Sequence, residues 1–117
     1  MKRYLITLIV VFLGVLCGNA FAQVSIFACE PEWEALAKEV GGKNVKVFAA
    51  THAKQNPHYI RARPSFIAKI RRADLVFCSG AGLEAGWLPI LLQKGSFRVK
   101  PGSVGYLMAS DFVKNPF

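Results

Sequence analysis

The stretch VSIFACEPEWEALAKEVGGKNVKVFAA, residues Val24 to Ala50, decides how the rest of the chain is read. VSIFAC is a short apolar run closed by Pro31, the pattern of a buried strand. PEWEALAKEVGG follows with Pro31 suited to a first helical turn, Glu32 and Glu34 placed at the positive end of the helix dipole, and Gly41-Gly42 to stop it. NVKVFAA, Asn44 to Ala50, then supplies β-branched and aromatic residues for a second strand. The stretch is a strand, helix, strand unit.

The alternation continues downstream. After a loop from Thr51 to Arg63, Pro64-Ser65 opens a helix whose apolar positions are Phe66, Ile67 and Ile70. ADLVFCS reads as a third strand, GAGLE as a glycine-rich turn, and Ala85 to Gln93 as an apolar helix that includes Pro89. The order β-α-β-α-β-α predicts an α/β fold, a parallel β-sheet with flanking helices, in which right-handed crossovers put strand one between strands two and three. Past Gly95 the periodicity fades, with Pro101-Gly102 as a turn and no closing element, so the chain is expected to be an incomplete fragment of a longer protein. There is no internal repeat.

Upstream, Lys2-Arg3, an apolar run from Tyr4 to Cys17 and the small-residue stretch NAFAQ have the layout of a cleavable signal peptide, residues 1–22, cut after Ala22. The run is about 14 residues, short of the roughly 20 that span a bilayer. Leu16 before Cys17 is bulky where lipoprotein processing resembles a small-residue rule, so export to the periplasm without lipid is expected. Of 15 Lys and Arg, Lys2 and Arg3 leave with the signal, so residues 23–117 carry 13 against 7 Asp and Glu, a net charge near +6. Such basicity suits an anionic partner. Only Arg61, Arg63, Lys69, Arg71 and Arg72 cluster, and an exported chain rarely meets nucleic acid, so no nucleic-acid partner is expected.

Ligands of open α/β sheets bind outside the carboxyl ends of the strands. That edge receives Cys29 and Glu30, the loop from His52 to His58, and Ser79 to Glu84. Cys29 and Cys78 end adjacent strands, and an even pair in an oxidising compartment suits a disulfide, with free thiols and metal ligation as alternatives. His58 is the better candidate metal ligand, with an exposed or hydrogen-bonded loop histidine without a ligand as the alternative: it sits in QNPHYIRARPS, where Pro57 stiffens the loop and lowers the entropy lost on binding. His52, six residues earlier in the same loop, is expected in solvent, with a second-ligand role as the alternative, and Glu84 to serve structure near a helix start. The GAG segment has neither the dinucleotide nor the P-loop spacing, and Ser79 lacks a G-x-S-x-G frame, so no enzyme is expected.

Together FACEPEWEALAKEVGG, NPHYIRARPS and ADLVFCSGAGLEAGWLPILL resemble the N-terminal lobe of the zinc/manganese-type, TroA-like periplasmic solute-binding proteins of ABC metal importers, over Val24 to Leu92. The resemblance implies a Rossmann-like N-terminal lobe of a two-lobe receptor, with a long rigid helix between lobes and the metal held in the cleft. It implies that His58 is the first metal-binding histidine, that Gly80 to Glu84 is a family landmark with Trp87 packed behind it, and that Zn²⁺ (or Mn²⁺) is carried to a membrane permease. This sequence departs from the pattern: Asn56 stands where an acidic residue is common, Pro57 where some members have a glutamate, and the family is two to three times longer, so the second lobe and the other ligands are expected to be missing from this stretch. One histidine falls short of the roughly four donors zinc wants. The alternative reading is a small basic envelope module that binds anionic lipid or a partner protein without metal.

Overall fold

The computed structural model describes residues 1–4 and 21–114. Most of the apolar run read as a signal core lies outside the described residues. The central strand β1, Val24–Ala28, leads into helix α1, Pro31–Gly41, which has Pro31 in its first turn, Glu32 and Glu34 beside it, and Lys38 in its last turn. Gly42 takes a positive φ of 52° and its N–H is accepted by the Lys38 carbonyl, which ends the helix. Strand β2, Val45–Ala49, follows. A loop containing a single 3-10 turn, Pro57–Tyr59, leads to helix α2, Pro64–Arg72, and strand β3, Leu75–Cys78. Helix α3, Leu88–Lys94, and a short strand β4, Tyr106–Met108, complete the set.

All strands are parallel, in the order β2-β1-β3-β4. β1 lies between β2 and β3, as the crossover rule requires, with Phe27 opposite Phe48 and Val76. Alternation along the strands sends Phe27, Phe48 and Val76 to one face, where α2, α3 and the turn just before α3 cover them with Phe66, Ile70, Leu91 and Trp87. The rings interlock at centroid distances of 5.5 Å for Phe27–Phe48, 5.8 Å for Phe48–Phe66 and 6.2 Å for Phe66–Trp87. The other face, with Ile26, Val45 and Phe77, packs against α1, where the Trp33 ring lies 4.8 Å from Phe77. Helices therefore flank both faces.

Two elements differ from the sequence reading. The third helix starts at Leu88 rather than Ala85, because Gly80, Ala81 and Gly82 run through positive φ values of 79°, 53° and 84° and prolong the turn. Pro89 consequently sits in the first turn, where its missing N–H costs no bond. β4 was not expected: only three residues long, it is defined by pairing with β3, Val76 opposite Tyr106 and Cys78 opposite Met108. Gly105 admits it, since any Cβ there would overlap the Arg98 and Asp74 carbonyl oxygens.

Candidate metal centre

Every strand ends at one edge, and three groups of residues meet there. The first is the cysteine pair. Cys29 and Cys78 follow or end adjacent strands, are both fully buried, and are joined through their sulfurs with Cα atoms 4.8 Å apart. Thr51 ties β2 to the same point, its backbone N–H and hydroxyl both donating to the Cys29 carbonyl at 3.1 and 2.8 Å.

The second is a pair of buried carboxyl groups, Glu30 at 2% exposure and Glu84 at 3%. Ser79 lies between them. Its N–H donates to Glu84 Oε1 at 2.9 Å and to Glu30 Oε2 at 3.2 Å, and its hydroxyl donates to Glu30 Oε2 at 3.1 Å while accepting from Trp33 Nε1 at 2.8 Å. The Gly80 N–H adds bonds to both Glu84 oxygens at 3.2 and 3.1 Å. Glu84 thus accepts from three backbone N–H contacts and closes the β3–α3 turn. Glu30 Oε1 is buried with no acceptor or donor partner as a carboxylate. Burial, then the hydrogen bond to Glu84 and its negative charge, push the Glu30 carboxyl up to about 8, against the Ser79 donors that lower it. Near neutral pH Glu30 therefore keeps its proton, which gives the orphan oxygen a bond to make.

The third group is the His58 loop. His58 is exposed on the Pro57–Tyr59 turn. Its backbone N–H donates to Asn56 Oδ1 at 3.0 Å, and its ring Nδ1 lies 3.2 Å from the same atom. A backbone N–H can only donate, so the Asn56 atom is the amide oxygen. That oxygen can only accept, so Nδ1 of the neutral ring carries the proton and Nε2 keeps its lone pair. The loop is pinned from below: the Trp87 indole, with no exposed surface, donates from Nε1 to the Pro57 carbonyl at 2.7 Å. His52 has the opposite arrangement, its Nδ1 accepting the Lys54 N–H at 3.3 Å, so the neutral ring carries its proton on Nε2.

Among the described residues, the one grouping of three or more ligand-type side chains is Cys29, Cys78 and Glu84, whose candidate atoms lie within 4.8 Å of one another. With the sulfurs bonded to each other neither is a thiolate, so this group offers no soft donors. His58 stands outside it. Nor do Ser79, His58 and Glu84 make a nucleophile set, since the Ser79 hydroxyl is engaged by Trp33 and Glu30. Sequence reasoning missed the Glu30–Ser79–Glu84 network and the role of Asn56. The Asn-Pro pair in QNPHY did signal a side-chain-closed turn.

A zinc-loaded deletion mutant of ZnuA resembles the chain with a TM-score of 0.67 and 22% identity, covering 81% of this chain and 34% of that one. A Mn-bound periplasmic metal-binding protein from Candidatus Liberibacter asiaticus aligns with a TM-score of 0.59 and 17% identity, over 65% of this chain and 28% of its own. Among curated proteins, the manganese ABC transporter substrate-binding lipoprotein ScaA of Streptococcus gordonii is 23% identical over 102 residues, 78% of this chain and 33% of ScaA. The chain spans about a third of the length of these relatives. The solved structures share its fold. The family model for the periplasmic zinc-uptake complex component A, ZnuA, matches residues 26–111, most of the chain, and the chain belongs to that family.

Proposed function

We propose that residues 23–117 form the N-terminal lobe of a periplasmic metal receptor, and that His58 is its first metal ligand through Nε2. The carrying observation is the Asn56 clamp, which fixes the ring tautomer with Nε2 unprotonated and is itself set on a loop held by Trp87. A carbonyl-type acceptor on the far ring nitrogen is the usual partner of a metal-bound histidine. Zinc is the preferred cargo, because neutral imidazole suits it, with manganese second. The lobe binds and releases rather than catalyses. Its partner is the membrane permease of an ABC importer, and residues 1–22 are a signal peptide that sends it to the periplasm.

His58 alone supplies one of roughly four donors, so the remaining ligands come from elsewhere in the longer receptor. The chain by itself then binds zinc weakly. The test is a zinc titration followed by the imidazole resonances of both histidines. His58 should shift, His52 should not, and His58→Ala should abolish the response. Equal shifts at both rings, or a response that survives His58→Ala, would remove His58 from the site.

A further inference from the structure

The charges of this lobe are sorted by face. No acidic residue occurs between Glu39 and Asp74, a span that holds eight Lys and Arg, and none between Glu84 and Asp111. Of the seven acidic residues, Glu30 and Glu84 are buried and Asp74 is paired with Arg98 at 2.9 Å. Glu32, Glu34 and Glu39 all lie on α1, against the opposite side of the sheet from α2 and α3, and Asp111 is at the carboxyl edge.

Helix α2 buries Phe66 and Ile70 and turns Ser65, Ala68, Lys69 and Arg72 to solvent. Lys69 Nζ lies 5.2 Å from the Phe48 ring centroid, and the Arg71 Nε donates to the carbonyl of Lys94 at the end of α3. Arg61 and Arg63 are exposed at the rim, beside Tyr59, which is 83% exposed. Among the described residues, none of these five α2 and rim cations pairs with a carboxylate.

We propose that the outer face of the α2–α3 layer docks on a bilayer of anionic phospholipid. Charge decides the class: a face of one sign is drawn to a surface of the other, and each Lys or Arg near an anionic bilayer adds attraction that fades within a Debye length. The layout suits a lipid surface: Arg61, Arg63, Lys69, Arg71 and Arg72 are exposed cations spread from the rim to the last turn of α2, with the exposed aromatic Tyr59 beside Arg61 and Arg63. An aromatic at the rim suits the headgroup level. The acidic helix α1 then faces away from the membrane, which sets the orientation. This inference stands on surface charge and does not depend on the metal reading.

The test is co-sedimentation of the chain with vesicles of phosphatidylcholine alone or with about 30% phosphatidylglycerol, at low salt and at roughly 0.5 M salt. Binding is expected only with phosphatidylglycerol and only at low salt. K69Q/R71Q/R72Q should weaken partitioning by about 10²-fold, and E32Q/E39Q should not weaken it. If the triple variant loses its native circular dichroism, R61Q/R63Q/K94Q, outside the α2 last turn, decides the matter by its own loss of binding. His58→Ala should bind vesicles like the parent. Binding to phosphatidylcholine alone, no binding to phosphatidylglycerol at low salt, or unchanged binding by a folded variant with Lys and Arg replaced by glutamine would overturn the proposal. So would capture by soluble polyglutamate without vesicle binding, which would assign the face to an acidic polypeptide.

Discussion

Replacing Glu30 with glutamine should stabilise this protein at alkaline pH and leave it little changed in acid. The reason is that Glu30, 2% exposed, is raised from 4.5 to about 8 by burial and by the hydrogen bond and charge of Glu84. Between those two values the folded chain holds a proton that the unfolded chain has released, so folding stability falls as pH rises. The contribution is fully present below about pH 4.5 and is lost by about pH 8, at roughly 1.4 kcal/mol per unit, for a total near 5 kcal/mol. That is comparable with the whole stability of a small domain. The other ionisable group drawn into this neighbourhood is Tyr106, whose phenol is raised by burial and by the charges of Asp111 and Glu84. The introduced amide can keep both bonds of the protonated acid, its oxygen accepting from Ser79 and its NH₂ donating toward Glu84. Urea unfolding of parent and E30Q from about pH 5 to about pH 9 isolates the effect of the Glu30–Glu84 pair, because titrations away from that pair cancel in the difference. The stability gap should widen in favour of E30Q up to about pH 8 and then level. A gap that is constant with pH would refute a proton held between Glu30 and Glu84.

Three further outcomes follow from the same edge. Cys29→Ser with Cys78→Ser opens a bridge of sequence separation 49 and should cost about 4 kcal/mol in the chain-entropy view, while a non-reducing peptide map of the parent should show both cysteines blocked to alkylation. Trp87→Phe keeps most of the packing but strands the Pro57 carbonyl, so it should cost about 1–3 kcal/mol and speed amide exchange across the loop after β2 more than elsewhere. Asn56→Ala should leave the fold intact yet release the His58 tautomer, seen as a mixture of protonated nitrogens by ¹⁵N imidazole NMR and as a weaker zinc response.

What the sequence revealed was what is local. Apolar runs bounded by proline and glycine located β1, α1, β2, α2 and β3, and crossover handedness then ordered the strands that apolar runs had located. β4 escaped because three residues after an aperiodic stretch carry no pattern of their own, and its place is set by β3 and by the close backbone approach at Gly105. The start of α3 was misjudged because Ala81, a residue without glycine's freedom, adopts φ 53°, and Glu84 is spent on the N–H groups of Ser79 and Gly80 instead of on the helix. Glu30 is the sharper case. It occupies the N-cap position of α1, where an acidic residue invites a capping interpretation, yet its side chain makes no cap bond and turns to Ser79, 49 residues away. Trp87 likewise reaches back 30 residues to Pro57. A histidine in an Asn-Pro-His loop can be singled out from sequence, but which of its nitrogens holds the proton follows from where Asn56 Oδ1 sits. Whether the loop stays in place follows from a tryptophan under it. The chemistry of this edge therefore depends on the pairings that parallel strands make between distant segments, and these become visible only once β1, β2 and β3 stand side by side.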